Sequence, residues 1–165
     1  MFRKVDDFIR VWGYETEATL KVFRALTDAS LSQAVAPGGR TLGFLGWHCV
    51  LILPEMMKHA GLPVSGPARG TPQPPLADMI REFEAGARVI ATELPKHWTD
   101  PMLTEMVPMF GEQWPRGNVL LSLVLHQAYH RGQMTVLMRQ AGLKVPGVYG
   151  PAREEWAAMN RPAQP

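Results

Sequence analysis

The longest helical window of the sequence is Arg116–Gln140, RGNVLLSLVLHQAYHRGQMTVLMRQ. Its apolar residues recur every three or four positions, which is typical of one face of an α-helix. Glycine at position 142 is a good C-terminal stop for such a helix. The pattern therefore predicts a long helix, and two histidines, His126 and His130, interrupt its apolar face.

Three further windows show the same helical spacing, at about Val5–Asp28, Thr41–Gly61 and Leu76–His97, with proline- and glycine-rich segments between them. The segment from Thr99 to Pro115 has no helical period, so we expect a short extended excursion or hairpin before the fourth helix. A short C-terminal helix is expected from about Ala152 to Asn160. These elements favour an all-α four-helix bundle, and a chain of 165 residues predicts a single domain spanning residues 1–165.

Composition excludes several classes of protein. Hydrophobic residues make up 46% of the chain and charged residues 19%, as in a globular protein with a sizeable core. The formal net charge of +2 is too small and too scattered for nucleic-acid binding. No apolar run approaches the roughly 20 residues of a membrane-spanning helix. A lone cysteine, Cys49, and the absence of a signal-peptide pattern predict a cytoplasmic protein.

Three histidines are the candidate functional residues. His126 and His130 lie four residues apart, about 6 Å along one face of the fourth helix. His48 falls on the apolar face of the second helix. One buried histidine alone is best explained by a hydrogen bond to the protein, but three need partners for all their ring nitrogens, and a single cation satisfies them together. We therefore predict that they bind one divalent transition metal ion, with zinc, nickel, copper and iron all compatible with imidazole ligands.

Other polar residues fit the site less well. His59 lies about 16 Å along the helix from His48, so a solvated position is expected for it. His97 closes the third helix, where the helix dipole favours a histidine. The side chain of Cys49 points about 100° around the helix axis from that of His48, and Cys49 is predicted to be a small core residue. Glu15 is either a fourth ligand or an acceptor of a hydrogen bond from a ligand or, as the pattern favours, an exposed flank residue.

Three segments carry a family resemblance. They are GWHC at residues 46–49, LHQAYHRGQMTVLMRQAG at residues 125–142 and VYGPAREEW at residues 148–156. In order and spacing they resemble the DinB-like (DinB/YfiT) superfamily of metal-binding four-helix-bundle proteins over nearly the whole chain. The resemblance implies that His48, His126 and His130 are the protein ligands and that water completes the metal shell. It also implies a homodimer. Some members are thiol-dependent S-transferases or isomerases that use bacillithiol, mycothiol or glutathione, whereas many have no known activity.

Three neutral imidazoles leave coordination positions open, as in catalytic metal sites. A metal there can lower the pKa of a bound water or of a substrate thiol. One hypothesis is therefore an S-transferase or related enzyme that joins a low-molecular-weight thiol to a small electrophilic substrate. Arg131 and Tyr129 are candidate orienting groups, although both turn a quarter of a circle from the histidine face and are better explained as solvated or packing residues. The alternatives are a non-catalytic protein with a structural or sensory metal and a metal-free helical interaction domain.

Overall fold

The computed structural model describes residues 2–162 and confirms the all-α four-helix bundle. Its long helices are α1 (Val5–Arg24), α2 (Leu42–His59), α3 (Leu76–His97) and α4 (Arg116–Gln140). Both α1 and α2 pack against α3 and α4, so the helices follow one another around the bundle in the order α1, α3, α2, α4. The two helices that carry the candidate histidines, α2 and α4, are therefore neighbours.

The ends of α2 and α4 follow the residues that predicted them. Thr41 caps α2 by accepting a hydrogen bond from the backbone N–H of Phe44 at 3.1 Å. Gly61 and Gly142 follow the two helices with φ angles of +81° and +72°, a region that glycine enters without strain. Because both ends are set by local chemistry, their positions agree with the sequence prediction.

The first helix is shorter than predicted. It ends at Arg24 instead of Asp28, and a 3-10 helix over Asp28–Ser32 follows. The cause is a capping box, in which Thr27 and Ser30 exchange hydrogen bonds between side chain and backbone at 3.0 and 3.2 Å. These bonds stop α1 and start a new element.

The predicted excursion before α4 is a β-hairpin. Its strands, β1 (Met106–Met109) and β2 (Glu112–Pro115), pair antiparallel. The two residues between them, Phe110 and Gly111, have φ angles of +51° and +87°, as a tight hairpin turn requires. The turn leaves the Phe110 ring exposed at the hairpin tip.

The C-terminal helical segment is present as two separate 3-10 turns, Arg153–Glu155 and Ala157–Met159, instead of one helix. The Glu155 carboxylate accepts hydrogen bonds from the backbone N–H groups of Gly147 and Ala152 at 2.9 and 3.0 Å. These bonds fold the chain back on itself and compete with a continuous helix.

Within residues 2–162, no helix combines the length and the hydrophobicity needed to cross a lipid bilayer.

Candidate metal centre

The structure brings His48, His126 and His130 together between α2 and α4. Nε2 of His126 lies 3.0 Å from Nε2 of His48 and 3.2 Å from Nε2 of His130. Two nitrogens that each bind a zinc ion at about 2.0–2.1 Å, at right-angled or tetrahedral positions, are about 2.9–3.4 Å apart. The spacing of the three rings therefore fits one shared ion.

A buried hydrogen bond fixes the two helices at the site. The side-chain amide of Gln127, on α4, donates to the backbone carbonyl of Cys49, on α2, at 2.9 Å. These residues immediately follow His126 and His48 in the chain. The bond therefore holds the register between α2 and α4 at the point where the histidines meet.

The orientation of His130 is set by Gln133. Nδ1 of His130 lies 2.8 Å from the amide oxygen of Gln133, which can only accept, so Nδ1 carries the proton and Nε2 presents a lone pair. Nδ1 of His126 is buried and has no hydrogen-bond partner in the described part of the chain. Lone pairs that converge on one point repel one another, and a cation between them removes that repulsion.

The surroundings keep the three rings neutral. Burial is the main cause, and the charges of His130, His48 and Arg40 add to it, lowering the pKa of His126 to about 4. Burial also lowers the pKa of His48 and of His130, and Arg40 contributes to both. Neutral imidazole is the form that binds metals, so no proton has to be displaced near pH 7.

A cavity of about 730 Å³ opens beside the rings. We call it the histidine cavity. Residues of α2 and α4, of the loop between α2 and α3 and of the hairpin tip surround it, among them His48, His126, Arg40, Phe44, Trp47, Glu55, Arg69, Gln73 and Phe110. Two of the three histidines therefore face a space large enough for a small molecule.

The loop wall of the histidine cavity is held in place by α2. The indole N–H of Trp47 donates to the backbone carbonyl of Thr71 at 2.7 Å. Glycine at position 43 leaves room for Gln73, because a Cβ there would overlap the side-chain amide. The proline-rich loop is thus packed onto the helix that carries His48.

Glu15 corrects one prediction. The favoured interpretation, an exposed flank residue, is wrong, because Glu15 retains only 5% of its exposure. Its carboxylate pairs with the guanidinium of Arg131, which is 2% exposed, so a solvated position for Arg131 is also wrong. Arg131 donates a further bond to the hydroxyl of Thr19 at 2.8 Å. The Glu15–Arg131 pair joins α1 to α4, and both side chains bond to other residues of the protein.

The hydroxyl of Tyr149 completes this network although the residue is 64% exposed, and sequence patterns did not identify its role. Its hydroxyl donates to the Glu15 carboxylate at 2.8 Å and accepts from Arg131. Burial and the hydrogen bond to Glu15 raise the pKa of Tyr149, so the hydroxyl keeps its proton. The network anchors the segment after α4 to α1.

The remaining candidates lie where expected. His59 and His97 are exposed at the ends of α2 and α3. Cys49 is fully buried, and burial raises the pKa of its thiol to about 12, so it is a core residue. Tyr129 is 64% exposed, with its ring centroid 5.3 Å from that of His130. Sequence patterns did not identify the roles of Gln127 and Gln133.

Comparisons with known proteins agree with this architecture. YrdA of Bacillus subtilis (strain 168) is 42% identical over 158 residues, which is 95% of each chain. The crystal structure of a DinB-like protein from Bacillus cereus ATCC 10987 has 41% identity and a TM-score of 0.82, covering 90% of this chain and all of that one. A DinB-like protein from Bacillus subtilis, YjoA, shares the fold with 11% identity and a TM-score of 0.67, over 88% of this chain and 99% of its own.

The family assignment rests on the whole chain. The sequence model of the DinB family matches residues 1–164. Two relatives are 41–42% identical to this chain over nine-tenths or more of its length. The four-helix architecture and the three histidines gathered between α2 and α4 fit the same assignment. This chain belongs to the DinB family.

Proposed function

We propose that His48, His126 and His130 bind one divalent transition metal ion and that the site is open to a small molecule. The observation that carries the proposal is the convergence of three Nε2 atoms beside the histidine cavity. Among residues 2–162, the group that could hold a metal ion consists of these three side chains alone. A fourth position is therefore left for water or substrate, as in catalytic sites of this kind.

We further propose a metal-dependent thiol S-transferase or related small-molecule enzyme. A bound metal would lower the pKa of a substrate thiol or of a water. In the transfer, the thiol gives up its proton, its sulfur forms a bond to an electrophilic atom, and the leaving group departs with the electrons of the broken bond. Gln133 holds His130 in the metal-binding orientation, and the histidine cavity accommodates the reactants. We place the reaction in the cytoplasm, where thiols stay reduced.

The alternative is a structural or sensory metal. His48 comes from α2 and the other two ligands from α4, so an ion would also tie these helices together. A structural site would contribute most of its binding energy to folding. The two functions differ in what they predict for the metal-free protein and for its response to thiols.

We expect untagged protein to contain about one transition-metal ion per chain and to keep its helical content and most of its melting temperature after chelation. The helices already bury a continuous core, so the ion is not needed to form the bundle. Elemental analysis and circular dichroism measure these outcomes.

The cobalt-substituted protein tests the open position. Adding a small thiol should produce a thiolate-to-cobalt absorption band, because sulfur replaces bound water. Collapse of the metal-free protein would favour the structural role. Failure to bind any metal would overturn the site, and a cobalt spectrum indifferent to thiols would overturn the open position.

We also propose that the protein is a homodimer that buries the outer face of α4. The exposed residues of α4 that lie after Asn118 and before Arg139 include Leu125, Tyr129 and Val136. No exposed residue in that stretch is charged. Solvent-facing sides of helices normally carry charges, so an uncharged face indicates a partner. Closed symmetric pairs are the commonest assembly of soluble proteins, and a second copy offers the same uncharged face.

Replacing Tyr129 with glutamate should convert the dimer to a monomer, because paired copies would then bury two like charges against apolar surface. Sedimentation equilibrium measures the molecular mass. Replacing Met106, an exposed apolar residue of β1, with glutamate is the control and should leave the dimer intact. A wild-type monomer, or a variant that dimerises unchanged, would contradict the proposed interface.

A further inference from the structure

Charge around the histidine cavity is unbalanced. Arg69 is paired with Glu55 across 3.4 Å, so these two charges largely offset each other. Arg40 also lines the cavity and makes no ion pair with any residue in the range 2–162. The three histidines are neutral and would surround a dication. The cavity therefore carries a net positive charge once the proposed metal is bound, and such a space attracts anions.

The guanidinium of Arg40 lies over the ring of Phe44 in a cation–π contact. It lies 5.3 Å from the ring centroid of Phe44, and that ring lies nearly parallel to His48, with centroids 6.0 Å apart. A cation–π contact with the face of an aromatic ring does not use up the N–H donors of a guanidinium as a hydrogen bond would. No hydrogen bond to another described residue occupies them.

Arg40 borders the same cavity as His48 and His126. It borders the histidine cavity on one side and, on the other, a cavity of about 370 Å³ that is lined by Gln133, the hydrogen-bond partner of His130. The Arg40 guanidinium and the His48 ring both lie against Phe44, so a small molecule in the histidine cavity can approach both.

We propose that the histidine cavity selects a small molecule that carries a carboxylate, and that Arg40 binds this group while the other end of the molecule lies at the histidines. The inference rests on the proposed function, since it concerns the substrate of the same metal site. Arginine is suited to the task because its planar fork donates two parallel hydrogen bonds to a carboxylate. Phe44 and Trp47 provide apolar surface for the carbon chain between the two ends.

The exposure of Arg40 sets the expected size of the cavity's preference for an anion. Arg40 is exposed, so water and salt weaken its attraction for an anion. An exposed but well-oriented pair changes affinity by about five- to tenfold. A cationic group at the same place should be disfavoured by a similar factor.

The test uses cobalt-substituted protein and three thiols of similar size, 3-mercaptopropionate, 2-mercaptoethanol and cysteamine, whose far ends are anionic, neutral and cationic. Titration of the thiolate-to-cobalt band gives each Kd. In an Arg40→Met variant, which keeps an unbranched chain over Phe44, the Kd for 3-mercaptopropionate should rise about five- to tenfold. The Kd for 2-mercaptoethanol should stay unchanged, and that for cysteamine should fall.

Arg81, which pairs with Asp78 on α3, does not line the cavity, so Arg81→Met is the matched control and should change none of the three constants. Added salt should reduce the wild-type preference. If cobalt and thiols bind but Arg40→Met shifts all three constants equally or not at all, the selection by Arg40 is refuted while the metal site stands. If the protein binds no cobalt, or cobalt without thiols, the proposed function itself fails.

Discussion

Replacing His126 with alanine is expected to lower the affinity for a divalent transition metal by more than about 100-fold, because even residues that only orient metal ligands are worth about 10- to 100-fold. His126 has the central place in the cluster, since its Nε2 lies within 3.2 Å of both other Nε2 atoms. Without it, His48 and His130 would hold an ion with two nitrogens only. The bundle itself should remain folded, because His126 is only partly buried.

Competition with a chromophoric chelator measures this loss. His59→Ala and His97→Ala are matched controls, because each removes an exposed histidine outside the cluster. Both controls should bind metal like the wild type. If His126→Ala also keeps wild-type affinity, or if the controls lose as much, the ion is bound elsewhere and the three-histidine site is refuted.

The gathering of the three histidines between α2 and α4 was predictable because its signals are local. His126 and His130 are four residues apart in a helical pattern, and His48 interrupts the apolar face of another helix. These local patterns do not show by themselves that α2 packs on α4, but a four-helix bundle supplies that contact. The bounds of α3 and α4 were predictable for the same reason, since periodicity and flanking residues define them.

The residues that sequence patterns missed depend on distant partners. Periodicity assigns a carboxylate such as Glu15 to the helix surface unless a buried cation opposes it. That cation, Arg131, is 116 positions away, and Tyr149 lies beyond the last long helix. The shortened α1 and the divided C-terminal helix were missed because Ser30 and Glu155 form hydrogen bonds that compete with helix continuation.

Replacing Glu15 with leucine is expected to lower the free energy of unfolding by about 3–5 kcal/mol, because it leaves Arg131 as a buried charge without its partner. Both side chains of the pair are almost fully buried, at 7% and 2% exposure. Water therefore cannot replace the lost carboxylate. Tyr149 would also lose the acceptor of its hydroxyl, which loosens the segment after α4.

Urea unfolding followed by circular dichroism measures the change, and Glu15→Gln, which keeps the shape of the side chain, serves if the leucine variant does not fold. Glu84→Leu is the matched control. It removes the partly exposed partner of the exposed Arg24 and should cost less than about 1 kcal/mol. The double variant Glu15→Leu with Arg131→Met should be more stable than Glu15→Leu alone, because it removes the stranded charge. If Glu15→Leu and Glu84→Leu cost the same, or if the double variant is the least stable, the buried pair is not what joins α1 to α4.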